Sequence, residues 1–309
     1  MATLRQGSIH LFRFAGIDLF LHWSWFLVAA YEIQGGTKSY SSLAWNAVEY
    51  LALFVVVMMH EYGHALACKQ VGGTANHIVL WPLGGVAYVN PPQRPGATLW
   101  SIAAGPLVNV AFLVGLSLLG VLNRSMGFLA AVPNLHTLLR SLWYINLVLL
   151  VFNLLPIYPL DGGQILRSLL WFVIGRARSL MVAVVIGFMG VAGLIIFALW
   201  RQSLWVGVIA VFILANCWGG LKQAQVLVRM AKLPRREGFA CPSCKTAPPV
   251  GTFWKCSRCG TPFDTFLSRG HCPNCGTDFP TTMCLDCRVM SPIAEWVPQL
   301  GFSSPTMNQ

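Results

Sequence analysis

The sequence predicts an all-α polytopic membrane protein of about six spans, with a short membrane-associated β-hairpin and a small cysteine-rich domain at its C-terminal end. Three observations carry that expectation. Of the 309 residues, 56% are apolar and only 10% are charged. Apolar runs free of charge reach spanning length. Eight of the ten cysteines lie beyond residue 240, in four repeats of one spacing.

The spans come first. Residues 97–122 and 179–200 hold no ionisable side chain, and a hydrocarbon core of about 30 Å is crossed by roughly 20 such residues as helix. Four further spans are read at 14–33, 43–69, 141–156 and 203–221. The first is expected to be an anchor rather than a cleaved leader, because Asp18 and His22 interrupt its start and no small-residue cleavage site follows. The domain plan is then 1–221 for the six-span part, 222–240 for a basic linker, 241–290 for the cysteine-rich module and 291–309 for a tail.

Orientation follows from arginine and lysine, which accumulate on the cytoplasmic side. With six spans and the N-terminus inside, the inner segments hold twelve of these residues and the outer loops only Lys38, Arg124, Arg140 and Arg201. Both termini are therefore expected in the cytoplasm. The net charge of +11 has the same origin, since residues 1–240 carry 16 basic and 6 acidic side chains against 5 and 4 beyond. Attraction to anionic lipid heads accounts for it. From Cys241 to Cys287 four basic residues face three acidic ones, a poor phosphate footprint, which argues against a nucleic-acid partner.

The cysteine pairs are Cys241 and Cys244, Cys256 and Cys259, Cys272 and Cys275, and Cys284 and Cys287, separated by 11, 12 and 8 residues. Two thiolates two residues apart reach one tetrahedral ion, and two such pairs close a structural four-cysteine zinc site. Nearest-neighbour pairing gives two zinc ribbons in tandem, the first two pairs holding one ion and the last two another, with Phe253, Trp254, Phe263 and Phe279 as small cores. Disulfides, the competing reading, suit an oxidising compartment rather than a cytosolic face. The double ribbon is expected to bind a protein regulator. Cys68 and Cys217, in apolar helices, read as packing residues.

Chemistry enters at His60-Glu61-Tyr62-Gly63-His64, which ends an apolar helix. Histidines four residues apart project from one helix face and can share a metal ion. Two imidazoles leave zinc underligated, and the adjacent Glu61 is placed to accept a proton from a water on the metal. The same spacing occurs by chance on polar helices, where it is a salt-bridging face. Here it follows nine apolar residues, and ionisable groups kept at membrane depth imply function.

A third ligand is sought among five acids that precede Glu237: Asp18, Glu32, Glu49, Glu61 and Asp161. Asp161 alone has a suitable setting, after Pro156 and Pro159 break a helix, because unwound chain in a bilayer survives only inside protein or beside a wet cavity. Spans two and four run in the same direction, so His60 and Asp161 fall toward the same end. Asp18 and His22 read as hydrogen-bonding or snorkelling groups, and Asn109 and Asn146 as interhelical hydrogen-bonding groups with no part in chemistry.

Residues 76–90 read as a hairpin whose turn is Pro82-Leu83-Gly84-Gly85. A free strand edge there could pair with an extended substrate, which makes Leu83, Gly84 and Gly85 candidate substrate-binding residues. An ordinary interfacial loop is the competing reading.

These motifs, HEYGH at 60–64, NLLPIYPLDGG at 153–163 and Ala104-Gly105-Pro106-Leu107-Val108-Asn109 between them, resemble the site-2 protease family of intramembrane zinc metalloproteases. The resemblance covers roughly residues 10–220. With Trp81 to Ala87 it is closest to the bacterial branch that includes the sporulation sigma-factor processing protease. It implies one catalytic Zn2+ on His60, His64 and Asp161, Glu61 as base, Asn153 as a group that holds the substrate or the oxyanion, a membrane-anchored protein substrate, and residence in the plasma (inner) membrane of a prokaryote. That branch often carries a nucleotide-sensing domain where this chain carries ribbons, so adenylate sensing is not carried over. A zinc-holding scaffold and a metal transporter are the competing classes, and Glu61 beside the histidines favours hydrolysis over either.

Overall fold

Five helices long and apolar enough to cross a bilayer form most of the first of two units: α2 (Leu43–Gln70), α3 (Pro95–Met126), α4 (Pro133–Leu154), α6 (Arg176–Arg201) and α7 (Leu204–Ala231). Two shorter helices, α1 (Ser24–Gly35) and α5 (Asp161–Ile174), complete the set. The computed structural model describes residues 7–35, 40, 42–81, 84–127 and 132–297. The units are Met1–Gln225 and Val226–Gln309. Only 11–28% of each apolar window is buried within the protein, so the rest of that surface needs an apolar phase outside it. The protein is a membrane protein.

Prolines and glycines punctuate these helices as local chemistry requires. Pro95 and Pro133 open α3 and α4 at the first turn, where the missing N–H costs nothing. Gly127, at φ 66°, closes α3 in the left-handed conformation.

The expected first span is corrected. Residues Ser8–Phe14 and Ile17–His22 form strands β1 and β2, and α1 has 12 residues, about 18 Å of helix against the roughly 30 Å a span needs. Among the described residues five helices, not six, can span. Alternation is the physical reason, for Ile17 and Leu19 are buried while Asp18 between them pairs with His10 and Arg13.

The expected hairpin is present as β3 (Thr74–Trp81) and β4 (Gly84–Asn90), but it belongs to a four-stranded sheet in the order β1-β2-β3-β4. Strand β2 runs parallel to β3, and the other pairs are antiparallel. Both sides of β3 are paired, and the open edge belongs to β4. The sheet packs on α2 through a core of Ile17, Leu19, Ile78 and Leu80 with Tyr62, Ala65 and Cys68. Helix α3 lies close against α2, since a Cβ on Gly63 would stand 2.8 Å from the Ala104 carbonyl oxygen.

The second unit has four knuckles of one design. In each CxxC turn the residue after the second cysteine takes positive φ, at Lys245, Gly260, Gly276 and Arg288. Its N–H bonds back to the first cysteine's carbonyl. Short strand pairs, β5 (Trp254–Lys255) with β6 (Pro262–Phe263) and β7 (Thr281–Met283) with β8 (Met290–Pro292), connect them. A 3-10 turn at Ile293–Trp296 follows. Arg235 and Arg236, read from sequence as part of a basic linker, are ion-paired in this unit with Asp286 and Asp264, each at 2.6 Å.

The tandem pairing of the cysteines is corrected to a nested one. Cys241 and Cys244 meet Cys284 and Cys287, while Cys256 and Cys259 meet Cys272 and Cys275. The outer cluster closes because Trp296 and Phe266 pack with Cys241, Cys284 and Cys287, and the Ala240 N–H bonds to the Trp296 carbonyl at 2.7 Å. Doubling a loop's length costs only about 0.6 kcal/mol. Burial of two large aromatic rings outweighs that, so proximity in sequence did not decide the partners. Phe263 and Phe279 line the inner cluster and Trp254 packs against both clusters, whereas Phe253 is exposed.

Candidate metal centre

His60 and His64 lie one turn apart on α2, and both are buried. Asp161 reaches them from the first turn of α5, after the chain has left α4 at Leu154. The His60 Nε2 atom stands 3.1 Å from Asp161 Oδ2, His64 Nε2 3.3 Å from the same oxygen, and the two nitrogens 3.1 Å apart. A tetrahedral zinc with ligand bonds of about 2.0 Å has edges of about 3.3 Å. The triangle matches one face of such a site.

Proton placement makes the same case. His64 Nδ1 lies 2.9 Å from the Ser101 carbonyl oxygen, and His60 Nδ1 lies 2.9 Å from Asn109 Oδ1. Both partners are acceptors, so each ring carries a proton on Nδ1, the tautomer that leaves Nε2 to face a metal ion. Asp161 Oδ2, a buried acceptor, makes no hydrogen bond among the described residues. Three lone-pair atoms within van der Waals reach repel one another unless a cation sits among them. The residues therefore fit zinc, with outer groups that orient the rings as such sites require.

Glycines make the space. A Cβ on Gly105 of α3 would come 2.3 Å from His64 Nε2 and 2.9 Å from His60 Nε2. Cβ atoms on Gly162 and Gly163 would strike the Leu154 carbonyl and the Tyr158 nitrogen at 2.2 and 2.4 Å, which is why two glycines follow Asp161.

Glu61, also buried, turns to the sheet. Its Oε2 accepts the Ala87 N–H at 3.0 Å, and a Cβ on Gly85 would lie 2.2 Å from its Cγ. Gly84 and Gly85 pair with Trp81 and Leu80 at the head of β4. Leu83 lies outside the described residues. Asn153 stands half-buried near the end of α4.

Asn109 was read only as an interhelical group, yet it holds His60, and Asn146 in α4 donates to the Asn109 carbonyl at 2.8 Å. A histidine ligand needs an acceptor behind it, and Asn109 is an amide in a charge-free span. That was the available signal.

The cysteine clusters have matching metrics. Sγ atoms approach at 3.7 Å in the outer cluster, for Cys241 with Cys287 and Cys244 with Cys284. In the inner one Cys256 and Cys275 are 3.5 Å apart and Cys259 and Cys272 3.6 Å. Zinc–sulfur bonds of about 2.3 Å give edges near 3.8 Å, whereas a disulfide is about 2.05 Å.

The chain is similar to known zinc metalloproteases. A family model described as Peptidase family M50 matches residues 124–197, and one described as Peptidase M50B-like matches residues 40–160. Zinc metalloprotease MJ0392 of Methanocaldococcus jannaschii is 38% identical over 180 residues, which are 58% of this chain and 50% of that protein. Stage IV sporulation protein FB of Bacillus subtilis is 33% identical over 121 residues, 38% of each. The chain thus spans half or less of the length of these curated relatives. The solved structure of a site-2 protease from Methanocaldococcus jannaschii superposes with a TM-score of 0.51 at 30% identity, covering 69% of this chain and 95% of that one.

Proposed function

From the premise that this chain belongs to the M50, or site-2 protease, family, we propose that it is an intramembrane zinc metalloendopeptidase that cuts membrane-anchored proteins in or near a transmembrane segment. The observation that carries this reading is the convergence of His60 Nε2, His64 Nε2 and Asp161 Oδ2 within 3.3 Å of one another beside a buried glutamate.

His60, His64 and Asp161 would hold the catalytic ion. Zinc bound there supplies a Lewis acid that polarises a peptide carbonyl and acidifies a water. The chain's own residues do the rest. Glu61 takes the proton of the attacking water and returns it to the leaving amine. The Ala87 N–H and the gap at Gly85 hold that carboxylate in place. Asn153 donates to the oxyanion as it forms.

A helical substrate hides its carbonyls and must unwind, which in a bilayer needs substitute hydrogen bonds. The open edge of β4 offers them, and Gly84 and Gly85 begin that edge. Ala87, whose N–H meets Glu61, sits on the same strand. A substrate strand added to β4 would pass beside the base.

Eight ribbon cysteines would hold two structural zinc ions, and the ribbons a protein regulator. Counted over five spans, ten inner arginine and lysine residues against six outer ones favour the cytoplasmic side of a prokaryotic plasma membrane for the end of α2 that carries the histidines and for the end of α4 that leads to Asp161.

Glu61→Gln tests the reading. It should lower cleavage of a co-expressed transmembrane substrate by at least about 100-fold while zinc stays bound. Full activity in that variant would sink the protease assignment in favour of a zinc-holding scaffold or transporter.

A further inference from the structure

We propose that Tyr158, and the socket that α6 and α7 build around it, position Asp161, so that two spans carrying no metal ligand set the geometry of the metal centre. The proposal rests on the reading of Asp161 as the third ligand.

The chain between Leu154 and Asp161 holds Pro156 and Pro159 and forms no helix. Its only backbone hydrogen bonds to itself are short-range, Ile157 to Leu155 and Leu160 to Ile157. A segment so loosely tied would leave Asp161 free to wander, and something outside it must fix its place.

Tyr158 is where that happens. Its carbonyl accepts the Cys217 thiol of α7 at 2.9 Å. A Cβ on Gly220, one turn further along α7, would come 2.6 Å from Tyr158 Cε1. From α6, a Cβ on Gly187 would stand 2.9 Å from the Tyr158 oxygen, and one on Gly190 2.5 Å from Ile157 Cγ1. Three glycines on two helices thus have their hydrogens against the same two residues. Gly193 of α6 and Gly219 of α7, in contrast, face nothing within 4 Å. The close approach is local to the loop and not a general property of these helices.

From Tyr158 the constraint passes directly to the ligand. Gly163 packs on the Tyr158 nitrogen, Gln164 Nε2 donates to the Pro159 carbonyl at 3.0 Å, and the Gln164 N–H donates to the Leu160 carbonyl at 3.0 Å. The first turn of α5 is therefore pinned to the residue that the socket holds. A shift of Tyr158 must carry Asp161 with it, away from imidazoles that α2 and α3 hold independently.

The test compares zinc affinity in the detergent-purified full chain, by chelator competition, for wild type, Gly220→Ala, the neighbouring control Gly219→Ala, and Gly220→Ala with Tyr158→Leu. His64→Ala supplies the ribbon-only baseline. Gly220→Ala should weaken zinc binding beyond that baseline about 10- to 100-fold with the helical content by circular dichroism unchanged. Gly219→Ala should match wild type, and the double variant, freed of the ring atom at 2.6 Å though still meeting Val184 Cγ2 at 2.9 Å, should recover part of the loss. Affinity in Gly220→Ala equal to that of Gly219→Ala overturns the proposal. If Gly220→Ala does not fold, the double variant decides, because it must fold and hold zinc more tightly than the baseline. A wild type indistinguishable from His64→Ala refutes the metal centre itself and is thereby told apart from a failure of the socket.

Discussion

Asn109 Oδ1 lies 2.9 Å from Nδ1 of His60, although 49 residues separate them. An amide on α3 thus selects the tautomer of a histidine on α2, and Asn146 on α4 holds that amide's backbone in turn. Truncation leaves a buried N–H without an acceptor and a ring free to rotate.

Asn109→Ala should accordingly reduce zinc affinity about 10- to 100-fold, read by chelator competition, while the helical content seen by circular dichroism stays the same. Asn109→Asp, which keeps an acceptor, should lose less.

Gly105→Ala drives a methyl group into the His64 ring, 2.3 Å from Nε2 and 2.4 Å from Cε1, and so displaces that ligand. It should remove the catalytic zinc altogether and leave the ribbon ions bound, a difference that elemental analysis counts directly. Gly115→Ala on the same helix, with nothing within 4 Å, is the matched control.

Ala87→Pro deletes the N–H that Glu61 accepts. The expected result is a fall in kcat/KM of at least about 10-fold with zinc retained. Leu80→Pro is a different experiment, because β3 is paired on both sides and proline there disrupts the sheet.

The nested cysteine pairing makes a stoichiometric prediction. Cys244→Ala combined with Cys284→Ala falls in one cluster and should cost one zinc per chain. Cys244→Ala combined with Cys259→Ala touches both clusters and should cost two. Tandem ribbons would give the opposite order.

Much of this was legible from residues in a line. Charge-free runs of spanning length need lipid, two histidines four apart on a helix must share a face, and a doubled CxxC is a ligand set wherever it folds. Each of these follows from a local period or from composition. The strand in place of a first span was legible too, in the alternation of Ile17 and Leu19 with Asp18, but a run of apolar residues hides its period when hydropathy alone is averaged.

Contacts between segments far apart in the chain were decided by the tertiary structure alone. Nothing local says that Asn109 serves His60, that Gly85 clears room for Glu61, that Cys241 seeks Cys284 and Cys287, or that α6 and α7 grip Tyr158. Motif spacing constrains what one helix or turn can present, because backbone geometry is local. Which elements then face each other depends on how apolar surfaces and glycine gaps from several elements fit at once, and that is a property of the whole packing.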